Sequence, residues 1–241
     1  PCHNKGLRLG PAFHQSTFHK QLIQTFFCHP RFLAQIEKNV TPETHKRLAF
    51  NDQSVRIHLL ITSHFDKNRS DQTVKILYLS SSSVPSEMAN AVHVMHMCDA
   101  FKSLGHNVTL FCYRGTNEHP FAYYKTKNNF YLEQIRQTPL PFCGSLIDAI
   151  RIRCKYSRRR DFDLFYGRNL LGLWALRNNG TPIIYESHAV PPSKTHIRFE
   201  KEIFQSKNFR KLVVITEKLK SKYLEIFPFL SGSSVIVAHD A

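Results

Sequence analysis

The chain has 241 residues, 42% of them hydrophobic, which suits one sizeable core with at most a small second unit. Its formal charge of +15 points to acidic partners: phosphates, nucleic acid or an anionic membrane surface. The charge is spread along the sequence, so a dedicated basic tail is excluded. No apolar run reaches the ~18 to 20 residues of a membrane span and no segment reads as a secretory signal.

Six cysteines stand at 2, 28, 98, 112, 143 and 154 without a C-x-x-C pair, the pattern of reduced thiols and not of a disulfide scaffold. The expected setting is therefore cytoplasmic. Pro1 in place of an initiator methionine implies a processed product or a fragment.

Residues 1–72 read as a separate, helix-leaning segment of no assigned role. Phe18, Leu22 and Phe26 recur at four-residue steps, and Thr41-Pro42-Glu43 has the hydroxyl, proline and acid of a helix start. Val55 to Thr62 is a short apolar run, and the polar stretch 66–72 is the expected boundary. Beyond it, Val74 to Leu79 suits a strand buried on both faces, Ser80 to Ser86 a loop, and Glu87 to Leu104 a helix with Ala91, Val94, Cys98 and Phe101 on its apolar side. Gly105 stands at the helix C-terminus and Val108 to Cys112 is the next strand.

Gly144 to Tyr156 is an expected helix, Asp163 to Tyr166 a strand and Leu170 to Arg177 a helix. Ile183 to Glu186 (strand), Lys194 to Lys207 (helix), Leu212 to Ile215 (strand), Glu217 to Phe227 (helix) and Val235 to Ala238 (strand) complete the series. Such alternation predicts a doubly wound parallel α/β sheet of six or more strands over residues 73–241, with the first strand in its middle. Ligands of such sheets bind at the carboxyl edge. The expected polar residues there are Ser80 to Ser83, Arg114, Arg168, Asn169, Glu186, His188, Thr216, His239 and Asp240.

Four stretches in register carry a resemblance. They are the strand–loop–helix–strand from Lys75 to Arg114 with Ala89-Asn90 and Leu-Gly-His-Asn-Val-Thr-Leu, then Asp163-Leu-Phe-Tyr-Gly-Arg168, Pro182-Ile-Ile-Tyr-Glu-Ser-His188, and Lys211 to Tyr223 followed by Val235 to Asp240. Together they resemble the N-terminal, Rossmann-like half of family-4 glycosyltransferases of the two-domain GT-B architecture. The resemblance implies transfer of a sugar from a nucleotide-sugar donor to a glycan or lipid-linked acceptor, with retention, as in polysaccharide biosynthesis. It also implies that residues 73–241 are the acceptor-side half, with the donor-binding C-terminal domain absent. No cofactor and no metal are expected, the nucleotide-sugar being a substrate.

His188 and Glu186 are the expected catalytic residues. Imidazole both donates and accepts near neutral pH, and Glu186 falls on the same side of its strand. Each has a structural alternative: a histidine bonded to a loop carbonyl, and a buried acid bonded to backbone. Ser82, Ser83, Asn90, Arg168 and Asn169 are the expected substrate contacts. Arg168 offers a forked donor to phosphate or carboxylate, or an ion pair with Asp163. The glycine-rich loop that the family places after the first strand is replaced here by Ser-Ser-Ser-Ser-Val-Pro-Ser, and G-x-G-x-x-G is absent.

His93, His96 and Cys98 on one helix suggest a metal, but Cys98 points away from the histidines and no second ligand pair follows at zinc-like spacing. The basic run Arg151, Arg153, Lys155 and Arg158 to Arg160 ends a helix, where cations favour the dipole. The same run would give peripheral contact with an anionic membrane, and it lacks the aromatic interleaving of a nucleic-acid site. Two other classes stay open: another nucleotide-using α/β enzyme, such as an epimerase or oxidoreductase, and a non-catalytic basic binding module.

Overall fold

The computed structural model describes residues 73–127, 130–140 and 143–239, together with residues 53, 56–58, 60 and 61. The Phe18/Leu22/Phe26 stripe, the helix start at Thr41, the expected boundary at 66–72 and Asp240 lie outside the described residues. The chain divides into two units, Pro1–Arg47 and Leu48–Ala241, and every described residue belongs to the second. Ile57 and Ile61 are buried in its core, so the second unit includes residues upstream of 73.

The elements are β1 (Lys75–Val84), α1 (Ala89–Ser103), β2 (Asn107–Arg114), α2 (Pro120–Tyr123), β3 (Tyr131–Ile135), α3 (Gly144–Tyr156) and β4 (Leu164–Gly167). Then follow α4 (Leu170–Leu176), β5 (Ile183–Ser187), α5 (Lys194–Phe204), β6 (Phe209–Val214), α6 (Glu217–Ile226), a 3₁₀ turn (Gly232–Ser234) and β7 (Val235–Val237). All seven strands are parallel, in the order β3-β2-β1-β4-β5-β6-β7, with β1 inside the sheet as expected. Apolar residues cover both faces. Tyr78, Tyr166, Ile184 and Val213 pack with α1 on one side. Leu77, Phe165, Tyr185 and Leu212 pack with residues of α3 to α6 on the other.

The turn from α1 to β2 follows from Gly105. Its φ of +94° is the left-handed conformation, and its N–H donates to the Lys102 carbonyl while that of His106 reaches Phe101. That pair of bonds closes the helix. Gly167, at the end of β4 with φ +139°, has a second reason to be glycine: a Cβ there would sit 2.2 Å from the Leu79 carbonyl oxygen of β1. Close approach of these two strand ends thus depends on a missing side chain. Ser193 and Thr216 cap α5 and α6 by accepting from His196 N and Leu219 N.

Two differences from the sequence expectation have physical causes. The stretch Ser80–Val84 is strand and not loop: after an irregularity past Leu79, Ser83 pairs with Tyr113 and Val84 with Arg114. Hydroxyl-rich sequence is thereby kept in the sheet, with Ser80 Oγ accepting from the Ser82 N–H. β3 gave no apolar run because it is an edge strand, only half-buried and carrying Glu133 and Gln134.

Candidate active site at the carboxyl end of β5

The site is built around one buried carboxylate. Glu186 follows Ile184 by two residues on β5, so it projects to the α1 side of the sheet, and its side chain has no exposed surface. Tyr78 of β1 and Tyr166 of β4 are register partners with their rings edge to face, 5.0 Å apart. Both hydroxyls donate to Glu186 Oε2, that of Tyr78 at 3.4 Å and that of Tyr166 more closely. Oε1 faces three nitrogens: His188 Nε2 at 2.5 Å, Gln53 Nε2 at 3.4 Å, and His93 Nε2 of α1 at 3.3 Å in an ion-pair contact.

Burial by itself would push the Glu186 carboxyl up. Hydrogen bonds from His188 and His93, with their charge, outweigh it and hold the group well below the usual carboxylate range. The tyrosines move the other way: burial first, then the Glu186 charge, raise both hydroxyls, while the Arg168 guanidinium acts on them in the opposite sense. Glu186 is thus an ionised acceptor, and the tyrosines remain neutral donors.

His188 lies just past the strand with its side chain 16% exposed, at the carboxyl edge where the sequence placed it. Because an ionised carboxylate only accepts, the imidazole presents Nε2–H to Glu186. When the ring is neutral, this orientation leaves the lone pair on Nδ1. The loop is also fixed from the opposite face. Ser187 Oγ donates to the Ala189 carbonyl at 2.9 Å and lies 2.7 Å from the Tyr223 hydroxyl. His188 is therefore held by Glu186 on one face of the sheet, and its two neighbours by Tyr223 on the other.

The other expected residues are placed less uniformly. Arg168 is half-buried and close enough to act electrostatically on Tyr78 and Tyr166. Ser82 is buried within β1, Ser83 is half-buried, and Asn90 is exposed in the first turn of α1. Asn169 is 5% exposed and its Oδ1 accepts from Gly172 N at 2.8 Å, capping α4. Asp163 accepts from the Lys75 N–H.

Sequence reasoning missed Tyr78, Tyr166 and His93 as parts of this cluster. The signal for the tyrosines was present, since a phenol in the middle of a buried strand needs a hydrogen-bond partner. On α1, His96 is exposed and Cys98 buried, so the helix does not bring them together with His93, which instead faces Glu186.

The basic run is largely engaged locally. Arg151 pairs with Asp148, Lys155 with Glu133 and Arg159 with Asp161, while Arg160 donates to Asn179 Oδ1. A cavity of about 600 Å³ lies at the amino edge of the sheet, lined by Lys75, Lys102, Tyr131, Arg159 and Asp161 among others. It is at the opposite end of the strands from Glu186 and shares no residue with the buried cluster.

A second buried carboxyl lies on the other face. Glu200 of α5 is 1% exposed and accepts from the hydroxyls of Tyr223 at 2.8 Å and Tyr185 at 3.0 Å. Burial pushes it up to about 7 against the opposing effect of those two bonds. A carboxyl raised on folding stabilises the fold fully below its unfolded value near 4.5, and that contribution is lost as pH rises through 7. The size is roughly 3 kcal/mol. Burial lowers His106 to about 4 and lowers His58 also, so their contribution is lost in the other direction, as pH falls below 6.5. Urea unfolding of wild type and Glu200→Gln between pH 5 and 8 should therefore diverge, with wild type losing more stability towards high pH. Parallel curves would show that Glu200 does not titrate on unfolding.

An open, all-parallel α/β sheet with helices on both faces is a Rossmann-like domain, and the Glu186–His188 pair lies at the carboxyl edge where such sheets bind ligands. The sequence profile of Glycosyltransferase Family 4 matches residues 91–237, and the chain belongs to that family. No match to a curated protein was found. Two crystal structures of the C-terminal domain of a hydrogenase from Pyrococcus furiosus align over 46% of this chain at 16% identity, with TM-scores of 0.34 and 0.33. They are covered to 90% and 88% of their own lengths, and a likeness at this level carries no functional weight.

Proposed function

We propose that this chain supplies the acceptor-side half of a retaining sugar transferase that uses a nucleotide-sugar donor and a glycan or lipid-linked acceptor. The observation that carries the reading is the Glu186–His188 pair at the end of β5, in a chain of the glycosyltransferase family. With Nε2–H held by Glu186, His188 turns Nδ1 to the substrate as an acceptor for a sugar hydroxyl. A proton taken there leaves an imidazolium stabilised by the buried carboxylate 2.5 Å away. Glu186 has no exposed side-chain surface, so it acts through His188 and does not meet the sugar itself.

Arg168 would take the anionic part of a ligand. Helix α1 begins beyond the serine stretch and favours an anion at its N-terminus. No described helix is long and apolar enough to cross a membrane. Exposed Arg153 and Arg158 are the cations of the basic run best placed to meet an anionic lipid surface, as a lipid-linked acceptor would require.

The test is turnover by the full-length protein with a panel of nucleoside-diphosphate sugars and glycan or lipid-linked acceptors. Release of nucleoside diphosphate and the anomeric configuration of the product by NMR are the readouts. The expected result is acceptor-dependent release with one donor and a retained anomeric centre. Inversion would remove the assignment of mechanism. No turnover with any pair, together with no binding of donor or acceptor, would overturn the transferase reading.

A further inference from the structure

His93, Glu186 and His188 bring two imidazoles and one carboxylate together, with one ligand atom from each lying within 4.8 Å of the other two. Each side chain comes from a fixed place: the ordered helix α1, the last turn of strand β5, and a loop pinned from both faces of the sheet. The 3.3 Å between His93 Nε2 and Glu186 Oε1 is the spacing of two ligands that share one ion at bonds of about 2.0 to 2.2 Å. The 2.5 Å contact of His188 Nε2 with the same oxygen is shorter, so that imidazole would swing outward by a fraction of an ångström to admit an ion.

The carboxylate is already oriented for the task. Tyr78 and Tyr166 both hold Oε2, which turns Oε1 towards the imidazoles. Outer hydrogen bonds of this kind are what aim a ligating carboxylate at a metal. Exposure is graded too: none for the Glu186 side chain, 15% for His93 and 16% for His188, so the two imidazoles are the members of the cluster that solvent reaches. Two nitrogens and one oxygen select an ion of the zinc, cobalt or nickel kind, whereas magnesium and calcium prefer sites of oxygen alone.

We propose that this triad is a binding site for a borderline transition-metal ion of the zinc class, and that occupancy converts His188 from a proton acceptor into a donor. An ion takes the Nε2 lone pair of each imidazole, so the ring proton of His188 moves from Nε2 to Nδ1. No proton is lost from a neutral ring. Nδ1, which carries a lone pair while Nε2–H is held by Glu186, then presents N–H to the substrate. The ion is therefore an inhibitor of sugar transfer; this second half rests on the function proposed above, whereas binding itself does not.

The experiment uses the metal-stripped full-length protein, titrated with zinc chloride by calorimetry and with cobalt chloride by visible absorption. One ion should bind with an affinity that falls by more than about 100-fold in His93→Ala and in His188→Ala. Tyr166→Phe should weaken it by about 10- to 100-fold, the range for an outer-shell partner. His93→Gln replaces the ligand where alanine fails to fold, which circular dichroism would report. Binding of the same affinity in all variants would place the ion elsewhere and overturn the site.

Transfer rates are read separately. Zinc should slow the wild type, a chelator should restore it, and His93→Ala should show no zinc response relative to its own metal-free rate. Binding at the triad without inhibition would overturn the switch. Absence of turnover under all conditions would count against the transferase reading and leave the calorimetric result to decide the site.

Discussion

Replacing His188 with alanine should cut kcat/KM for sugar transfer by about 10²- to 10⁴-fold, the range expected of a positioned acid–base group. The loss should fall mainly on kcat, because an imidazole that accepts a proton as the reaction proceeds contributes more to the transition state than to the ground state. Two features make His188 the group to test. Its Nε2–H is committed to Glu186 at 2.5 Å, which selects the tautomer, and Ser187 and Ala189 are anchored to Tyr223, which fixes the backbone on either side. The fold should survive the change, since the side chain is at the rim and Glu186 keeps the donors from Tyr78, Tyr166 and His93. Unchanged kcat/KM in a protein with wild-type unfolding would remove His188 from the chemistry.

The parts of this structure legible in the sequence are those written in local terms. Gly105 after an unbroken helical stretch gave the end of α1, and Asn169, Ser193 and Thr216 stand where helices begin. Strands buried on both faces showed as apolar runs, which is why β2, β4 and β5 were found to within a few residues. Ser80 to Ser83 resemble a loop by composition, which hides the last part of β1. What keeps the stretch in the sheet is the pairing of Ser83 with Tyr113 and of Val84 with Arg114, far along the chain, which no local pattern encodes.

Within the site, the same division holds. Glu186 and His188 are two residues apart, so their partnership could be read from strand alternation. Tyr78, Tyr166 and His93 lie on three other elements and meet Glu186 only through the strand order β1-β4-β5 and the packing of α1 over it. Helical spacing sets His93 near His96 and turns Cys98 away, but it carries no sign that His93 faces Glu186. Asn169 was expected to meet substrate because it stands at a strand's carboxyl end; that position is equally the N-cap of the helix that follows, and its oxygen bonds Gly172 N.

Glu186→Ala should destabilise the fold by about 3 to 5 kcal/mol, the cost of removing one partner from a buried charged network. The carboxylate accepts from two tyrosine hydroxyls and lies against two imidazole nitrogens, so its removal disturbs four side chains on four elements. Each buried hydroxyl left without an acceptor costs about 1 to 3 kcal/mol, and the side chain removed also leaves a void beneath α1. Against the 5 to 15 kcal/mol typical of a folded domain, roughly, this loss brings the protein close to its threshold. Glu186→Gln separates charge from shape. It keeps an acceptor oxygen for the tyrosines, so stability should fall by less. Its amide N–H₂ facing His188 would favour the imidazole with the lone pair on Nε2, so transfer should drop as sharply as in the alanine variant. Tyr78→Phe and Tyr166→Phe, which remove donors and leave the acceptor in place, should each cost only about 1 kcal/mol. Urea unfolding of the four variants is the measurement. A loss under about 1 kcal/mol for Glu186→Ala, or one no larger than for the tyrosine changes, would show that the carboxylate does not hold these elements together.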